Sequence, residues 1–304
     1  MSILNTDYGK VIELSERVAW RVHDVVPKEA ALDFTRPFMP AAMFQGASLA
    51  FLSPAEKLKV NQILGNSYAY LFYFVEAYII DMAMQHAQAE LYGDDDNLRA
   101  MLRFAEEEVK HQKMFLRFGE LFRGGFGTEC DVVENPQAVA QVILSKSPMA
   151  VTLVTLHLEL VTQAHYVDCM RDSNDMEPLF KALFKHHWLE EAQHAKLDVL
   201  ELVKLRRSVT PEQVQQTIDD YFAIAGAFAN LLAQQAKLDV KSVERALSRT
   251  FSEEERAAIE KAQARSYNRA FLWSGVTNTL FLEFLAEHFP GALAGAAQAA
   301  EAFA

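Results

Sequence analysis

Two copies of one short pattern, Glu108-Val109-Lys110-His111 and Glu191-Ala192-Gln193-His194, each follow a lone glutamate by 32 residues. The upstream glutamates, Glu76 and Glu159, sit inside the apolar runs 68–80 and 149–161. A carboxylate in such a run is costly unless it is paired or metal-bound. Residues three apart on a helix project about 60° from one another, so a Glu and a His at that spacing can reach one ion. In ferritin-like di-metal bundles, two helices each give a single Glu and the other two each give a Glu-x-x-His, all pointing inward. The candidate metal ligands are therefore Glu76, Glu108, His111, Glu159, Glu191 and His194. The fold they require is all-α, a ferritin-like four-helix bundle.

The conjunction carries the information. With 26 Glu and nine His in 304 residues, chance gives about 0.8 Glu-x-x-His matches, so a single match would mean little. Two matches, each preceded at one interval by a glutamate in an apolar run, describe a duplicated helix pair.

The helices can be placed from their punctuation. Ser53-Pro54 caps a helix that runs to about Tyr92, where Gly93-Asp94-Asp95-Asp96-Asn97 breaks it. A second helix runs from about Asn97 to Gly119, with a loop at Gly124-Gly125-Phe126-Gly127. The second half repeats this over about 149–171 and 176–207, and residues 120–147 form the longer crossover such bundles need. Accessory helices cover about 210–288, one opened by Thr210-Pro211-Glu212-Gln213 and one by the capping box Ser252–Glu255. Further helical material lies N-terminal to the bundle, and the alanine-rich tail after Pro290 is expected to be frayed. No alternating strand pattern is present. One domain, 1–304, absorbs the length.

Composition narrows the class of partner. At net charge −12 and pI about 5.3, with no basic stripe, the chain has no footprint for nucleic acid. The apolar runs are interrupted by Glu76, His157 and Glu159, so none reaches the roughly 18 residues that span a bilayer. Cys130 and Cys169 are too few for a disulfide framework, and residues 1–8 show no basic start followed by an apolar stretch. A cytoplasmic location is expected.

One departure from the internal repeat stands out. His187 precedes Glu191 by four residues and shares its helix face, whereas the matching position in the first half is Phe104. On spacing alone His187 is either a ligand or a satisfied core histidine. The pattern His-x-x-x-Glu-x-x-His, with Glu76, Glu108-x-x-His111 and Glu159, resembles the p-aminobenzoate N-oxygenase family of di-iron proteins, in which a third histidine joins the ligands. The stretch Asp33–Pro40 is similar to that family's approach segment. The resemblance covers about residues 15–290 and makes His187 a seventh ligand. It implies two Fe ions that activate O2 to oxidise an amine or related small molecule, with an external electron donor. Four carboxylates supply −4, which balances two Fe²⁺, and neutral imidazoles add ligation without charge. Glu and His do not by themselves select iron over manganese.

Around the ligands, residues one turn away are Tyr73, Ile80, Phe104, Phe115, Thr155, Thr162, Gln163, Tyr166 and Asp198. Asp198, four after His194, is expected to orient a histidine by accepting its other ring N–H. Thr162 is a candidate for assisting O2 chemistry. No Lys or Arg lies within a turn of the ligands on the site faces, which favours a neutral substrate. Expected partners are that small molecule, the electron donor and a second copy of the chain as a homodimer, with no nucleic acid and no membrane.

Other readings share the ligand plan. Ribonucleotide reductase small subunits begin their ligand set with Asp and carry a radical tyrosine where this chain has Phe115. An iron store would not need the long C-terminal region. A manganese catalase uses the same donors, and a helical binding protein on an inherited bundle would gain by replacing buried glutamates.

Overall fold

The computed structural model describes residues 6–304. Residues 1–5, part of the stretch read above for a leader, lie outside the described residues. The described residues form helices and turns with no strand.

Two N-terminal helices, α1 (Tyr8–Val18) and α2 (Val22–Val25), precede an irregular segment. The bundle follows as α3 (Pro54–Ala89), α4 (Asp95–Phe126), α6 (Pro148–Ala164) and α7 (Pro178–Arg206), with the short α5 (Pro136–Leu144) in the crossover. α6 continues into a π-helical turn, His165–Met170. Then come α8 (Pro211–Leu247), α9 (Glu253–Asn268), a second π-helical turn Arg269–Trp273, α10 (Ser274–Val276), α11 (Thr279–His288) and α12 (Leu293–Phe303). α3 packs along α4 and α6 along α7, and α4–α7 and α3–α6 contacts close the bundle. α1 lies on α4 and α7, while α8 covers α3 and α6.

The caps act as the residues predict. Ser53, Thr210 and Ser252 each close a capping box with the residue three further on, which satisfies two otherwise orphaned backbone donors reciprocally. Two expectations about ends are corrected. α4 does not stop at Gly119 or loop at Gly124-Gly125; it runs to Phe126 and stops at Gly127, at φ +89°. Its face Phe118, Phe122 and Phe126 packs on Phe34 and Phe38, and that burial overrides the weak glycine propensity. Gly125 is needed there, because a Cβ would stand 2.6 Å from the Phe34 ring. The tail after Pro290 is also not frayed. It forms α12, where a Cβ on Gly295 would meet the Phe222 ring at 2.5 Å.

The segment before α3 is fixed from within. Asn61 accepts from Phe38 and Met39 N–H through Oδ1 and donates to the Met39 carbonyl. Phe38, fully buried, stacks on Phe180 at 5.4 Å and crosses α3 at Gly65, whose Cβ would lie 2.6 Å from that of Phe38.

Candidate metal centre

The four bundle helices bring all seven candidate ligands to one buried place. Glu76 comes from α3, Glu108 and His111 from α4, Glu159 from α6, and His187, Glu191 and His194 from α7, each at most 2 % exposed. Two sets of donors converge: Glu76, His111, His187 and Glu191, and Glu108, His111, Glu191 and His194, with one ligand atom of each residue within 4.8 Å of the others in its set. The sets share His111 and Glu191. Glu159 stands beside the second, its Oε1 3.9 Å from His194 Nδ1.

The ring nitrogens divide between inside and outside. His194 turns Nδ1 to Glu108 Oε1 at 2.9 Å and Glu191 Oε2 at 3.2 Å, and His111 turns Nδ1 to Glu191 Oε1 at 3.0 Å. His187 instead turns Nε2 inward, 2.9 Å from Glu76 Oε1 and 2.7 Å from Glu191 Oε1. The short reach of an i, i+3 pair brings Nδ1 toward the cluster of carboxylates, whereas His187, a turn earlier, extends its far nitrogen. Phe104, its counterpart, packs its ring 4.1 Å from that of His194.

The outward nitrogens reveal residues that spacing did not single out. Glu190 Oε2 lies 2.9 Å from His111 Nε2, and Glu107 Oε2 lies 2.9 Å from His194 Nε2. Each Glu-x-x-His is thus preceded by a second Glu that holds the histidine of the other helix. The doublets Glu107-Glu108 and Glu190-Glu191 were the available signal. Lys110 pairs with Glu190, and Ser15, held by Arg103, donates to Glu107. Trp20 covers this edge, its ring 5.8 Å from His111 and its Nε1 donating to the His186 carbonyl.

This corrects the role expected of Asp198. It is buried on α7, but Glu107 occupies the outer nitrogen of His194, and Asp198 Oδ2 has no partner. The outer nitrogen points across to α4, away from the next turn of its own helix. Burial, chiefly, pushes the Asp198 carboxyl well above the usual range. Tyr166 is also displaced from the site face. It stacks on Trp188 at 4.9 Å, because the π-helical turn beginning at His165 adds a residue and shifts the α-periodic register. Thr162 does line the centre, its hydroxyl donating to the Leu158 carbonyl. Thr155 Oγ1 meets Tyr78 and Met82, Gln163 donates to the Glu159 carbonyl, and Phe115 packs 5.0 Å from His187. Tyr73 and Ile80 are half-buried on the outer side of α3.

The donor set fits a pair of cations. Glu76 Oε2, Glu108 Oε2 and Glu159 Oε2 are buried with no hydrogen-bond partner, and Glu108 Oε1 and His111 Nδ1, though 2.9 Å and 3.0 Å from a neighbouring ligand atom, are too poorly directed to make a hydrogen bond, a concentration of unsatisfied polar atoms that native cores avoid. The outer carboxylates have Lys110 and Arg103 beside them; the four inner ones face each other. Burial and then Glu108 push Glu76 well above the usual carboxylate range. Burial opposes protonation of His111 and His194, yet the surrounding glutamates draw both well above the ordinary histidine range. The residues alone therefore call for positive charge at this point. Beside it is a cavity of about 10 Å³, walled by Phe72, Val75, Ile79 and Leu158 with Thr162.

The family model described as P-aminobenzoate N-oxygenase AurF matches residues 52–274. That span begins just before α3, ends at the second π-helical turn and contains every candidate ligand. No curated protein matches the chain. Among the described residues, no helix is long and apolar enough to cross a membrane.

Proposed function

The chain belongs to the p-aminobenzoate N-oxygenase family, and from that premise we propose that it is a di-iron oxygenase that oxidises a small, uncharged organic molecule, by N-oxygenation of an amine in preference to C–H oxidation. The observation that carries the reading is the convergence of four buried glutamates, with orphaned oxygens, and three histidines. Glu76, His111 and His187 would hold one ion, Glu159 and His194 the other, with Glu108 and Glu191 between them. When bound, the iron pair supplies electrons for the reduction of O2.

The protein's own residues set the conditions for that chemistry. Glu107 and Glu190 fix the tautomers and ring planes of His194 and His111. Phe72, Val75, Ile79 and Leu158 keep water from the open side. No Lys or Arg lines that cavity, which favours a substrate that brings no charge close to the reacting atoms. An external electron donor that restores the reduced state belongs to the same reading. So does a cytoplasmic location, with Cys130 and Cys169 both free.

Iron-replete protein should contain two iron ions per chain. Mixed with O2 after reduction, it should convert an uncharged aryl amine to its N-oxygenated product in a single turnover, with aliphatic substrates unreacted. An oxidised state that decays at one rate across the whole amine panel would sink the amine assignment. Manganese-dependent disproportionation of peroxide would hand the site to catalase chemistry. His187→Phe, which copies Phe104 in the other half, should keep the fold and the second ion but alter the iron spectrum. An unchanged spectrum would return His187 to a packing role.

A further inference from the structure

We propose that Tyr68 and His165 form a built-in redox site, a phenol and base that surrender one electron and one proton when the metal centre is oxidised without substrate. The inference rests on the oxygenase reading for its oxidant. Neither Tyr68 nor His165 is among the candidate ligands.

The phenol and the base are paired away from water. Tyr68 is 1 % and His165 6 % exposed, and Tyr68 O–H meets His165 Nδ1 at 2.6 Å. The proton positions follow from the next bonds. Ser274 Oγ donates to the Ala270 carbonyl, so toward His165 Nε2, 3.0 Å away, it can only accept. Nε2 therefore carries the ring proton, and Nδ1 is the acceptor for the phenol. Burial pushes His165 down to about 3, which keeps that lone pair free.

The pair is placed for electron transfer to the metal centre. Tyr68 and Glu76 are eight residues apart on α3, a rise of about 12 Å and a rotation of about 80°, with Phe72 halfway between. Between them the Phe72 ring lies 5.1 Å from Tyr68 and 5.1 Å from His187. The backbone around the pair is specialised as well. His165 opens one π-helical turn, and Ala270 and Ser274 belong to and follow the other; such turns are uncommon and concentrate at functional sites. On the far side, His165, Cys169, Arg269, Trp273 and Ser274 line a cavity of about 100 Å³.

The step balances. Tyr68 loses one electron to the oxidised metal pair, which is reduced by one. The phenolic O–H bond breaks, its proton forms a bond to His165 Nδ1, and a neutral phenoxyl faces an imidazolium whose Nε2–H stays bonded to Ser274. A bare phenol in this core would have to keep its proton and become a phenoxyl cation, whereas His165 takes the proton, so the positive charge left in the core rests on an imidazole and not on the oxidised ring. Tyr78 is an internal contrast: it is equally buried, but its oxygen meets the Thr155 hydroxyl in place of a base.

Reduced iron-loaded protein would be exposed to O2 without substrate, freeze-quenched and examined by electron paramagnetic resonance. A tyrosyl signal is expected in wild type and in Tyr78→Phe but not in Tyr68→Phe. His165→Gln, which keeps the phenol and removes the base, should lower its rate of formation by about a hundredfold. No signal in wild type, or a signal surviving in Tyr68→Phe, overturns the proposal. A second arm loads zinc in place of iron and oxidises the protein with a flash-generated ruthenium(III) tris-bipyridine. A Tyr68-dependent radical in this arm alone shows an oxidisable pair that does not serve the metal centre, which also overturns the proposal. A radical in the iron arm with no amine product leaves this inference standing and removes the N-oxygenation reading.

Discussion

Two of the places where the molecule buries acid are built on opposite principles. At the junction of α3, α8 and α9, Asp239 is fully buried, and its oxygens receive Ser67, Gln235, Gln263 and Tyr267. At the centre of the bundle, Glu76, Glu108, Glu159 and Glu191 face one another with four of their oxygens making no hydrogen bond. Neutral donors close the first region by themselves. The second lacks such donors, and its open oxygens fit cations. Burial alone thus does not mark a functional acid; what marks one is burial with its hydrogen-bonding capacity left open and directed at a shared point.

The contrast can be broken most forcefully by taking the cations away. Chelation should cost the fold about 4 kcal/mol, since four facing carboxylates lose their partners, and should lower the thermal midpoint clearly. The same treatment of Glu108→Ala should have little further effect, as that variant already lacks one of the two carboxylates placed between the ions. Wild type with an unchanged midpoint after complete chelation would place the centre in the same class as Asp239.

A smaller effect sharpens the role of the outer acids. Glu107→Ala and Glu190→Ala should each weaken metal affinity by about 10- to 100-fold, read by titration against a competing chelator. Asp198→Asn should leave affinity unchanged. A weakening confined to Asp198→Asn would restore the orientation role that the sequence suggests for it.

The smallest expected effect lies at the self-contained node. Asp239→Asn should cost about 1 kcal/mol through mismatched donors while both metals are retained. Burial, against its four donors, raises Asp239 from 3.8 to about 7. The folded protein thus binds a proton that the unfolded chain releases, so this contribution is full below pH about 4 and is lost as pH rises toward 7. Denaturant midpoints across that window should converge between wild type and Asp239→Asn; parallel profiles would mean that Asp239 is charged throughout.

The ease with which each part could be read follows the range of the interaction concerned. Caps at Ser53, Thr210 and Ser252 involve residues three apart and are written locally. Gly119 and Gly124 misled because the aromatic face of α4 gains its partners, Phe34 and Phe38, from a segment about 80 residues earlier. Tyr166 misled because a π-helical turn has no simple composition signal, and an α-helical count carried across it points to the wrong face.

The sequence by itself determined that four helices would each turn particular Glu and His side chains to one stripe, because 3.6-residue periodicity is a property of each segment alone. Only the tertiary structure decided that Glu107 serves His194 and Glu190 serves His111, that His187 enters through Nε2, and that Tyr68 finds His165. Those pairings depend on the axial register between helices that pack side by side. Register is set by how whole faces interlock, and no spacing within one helix contains it.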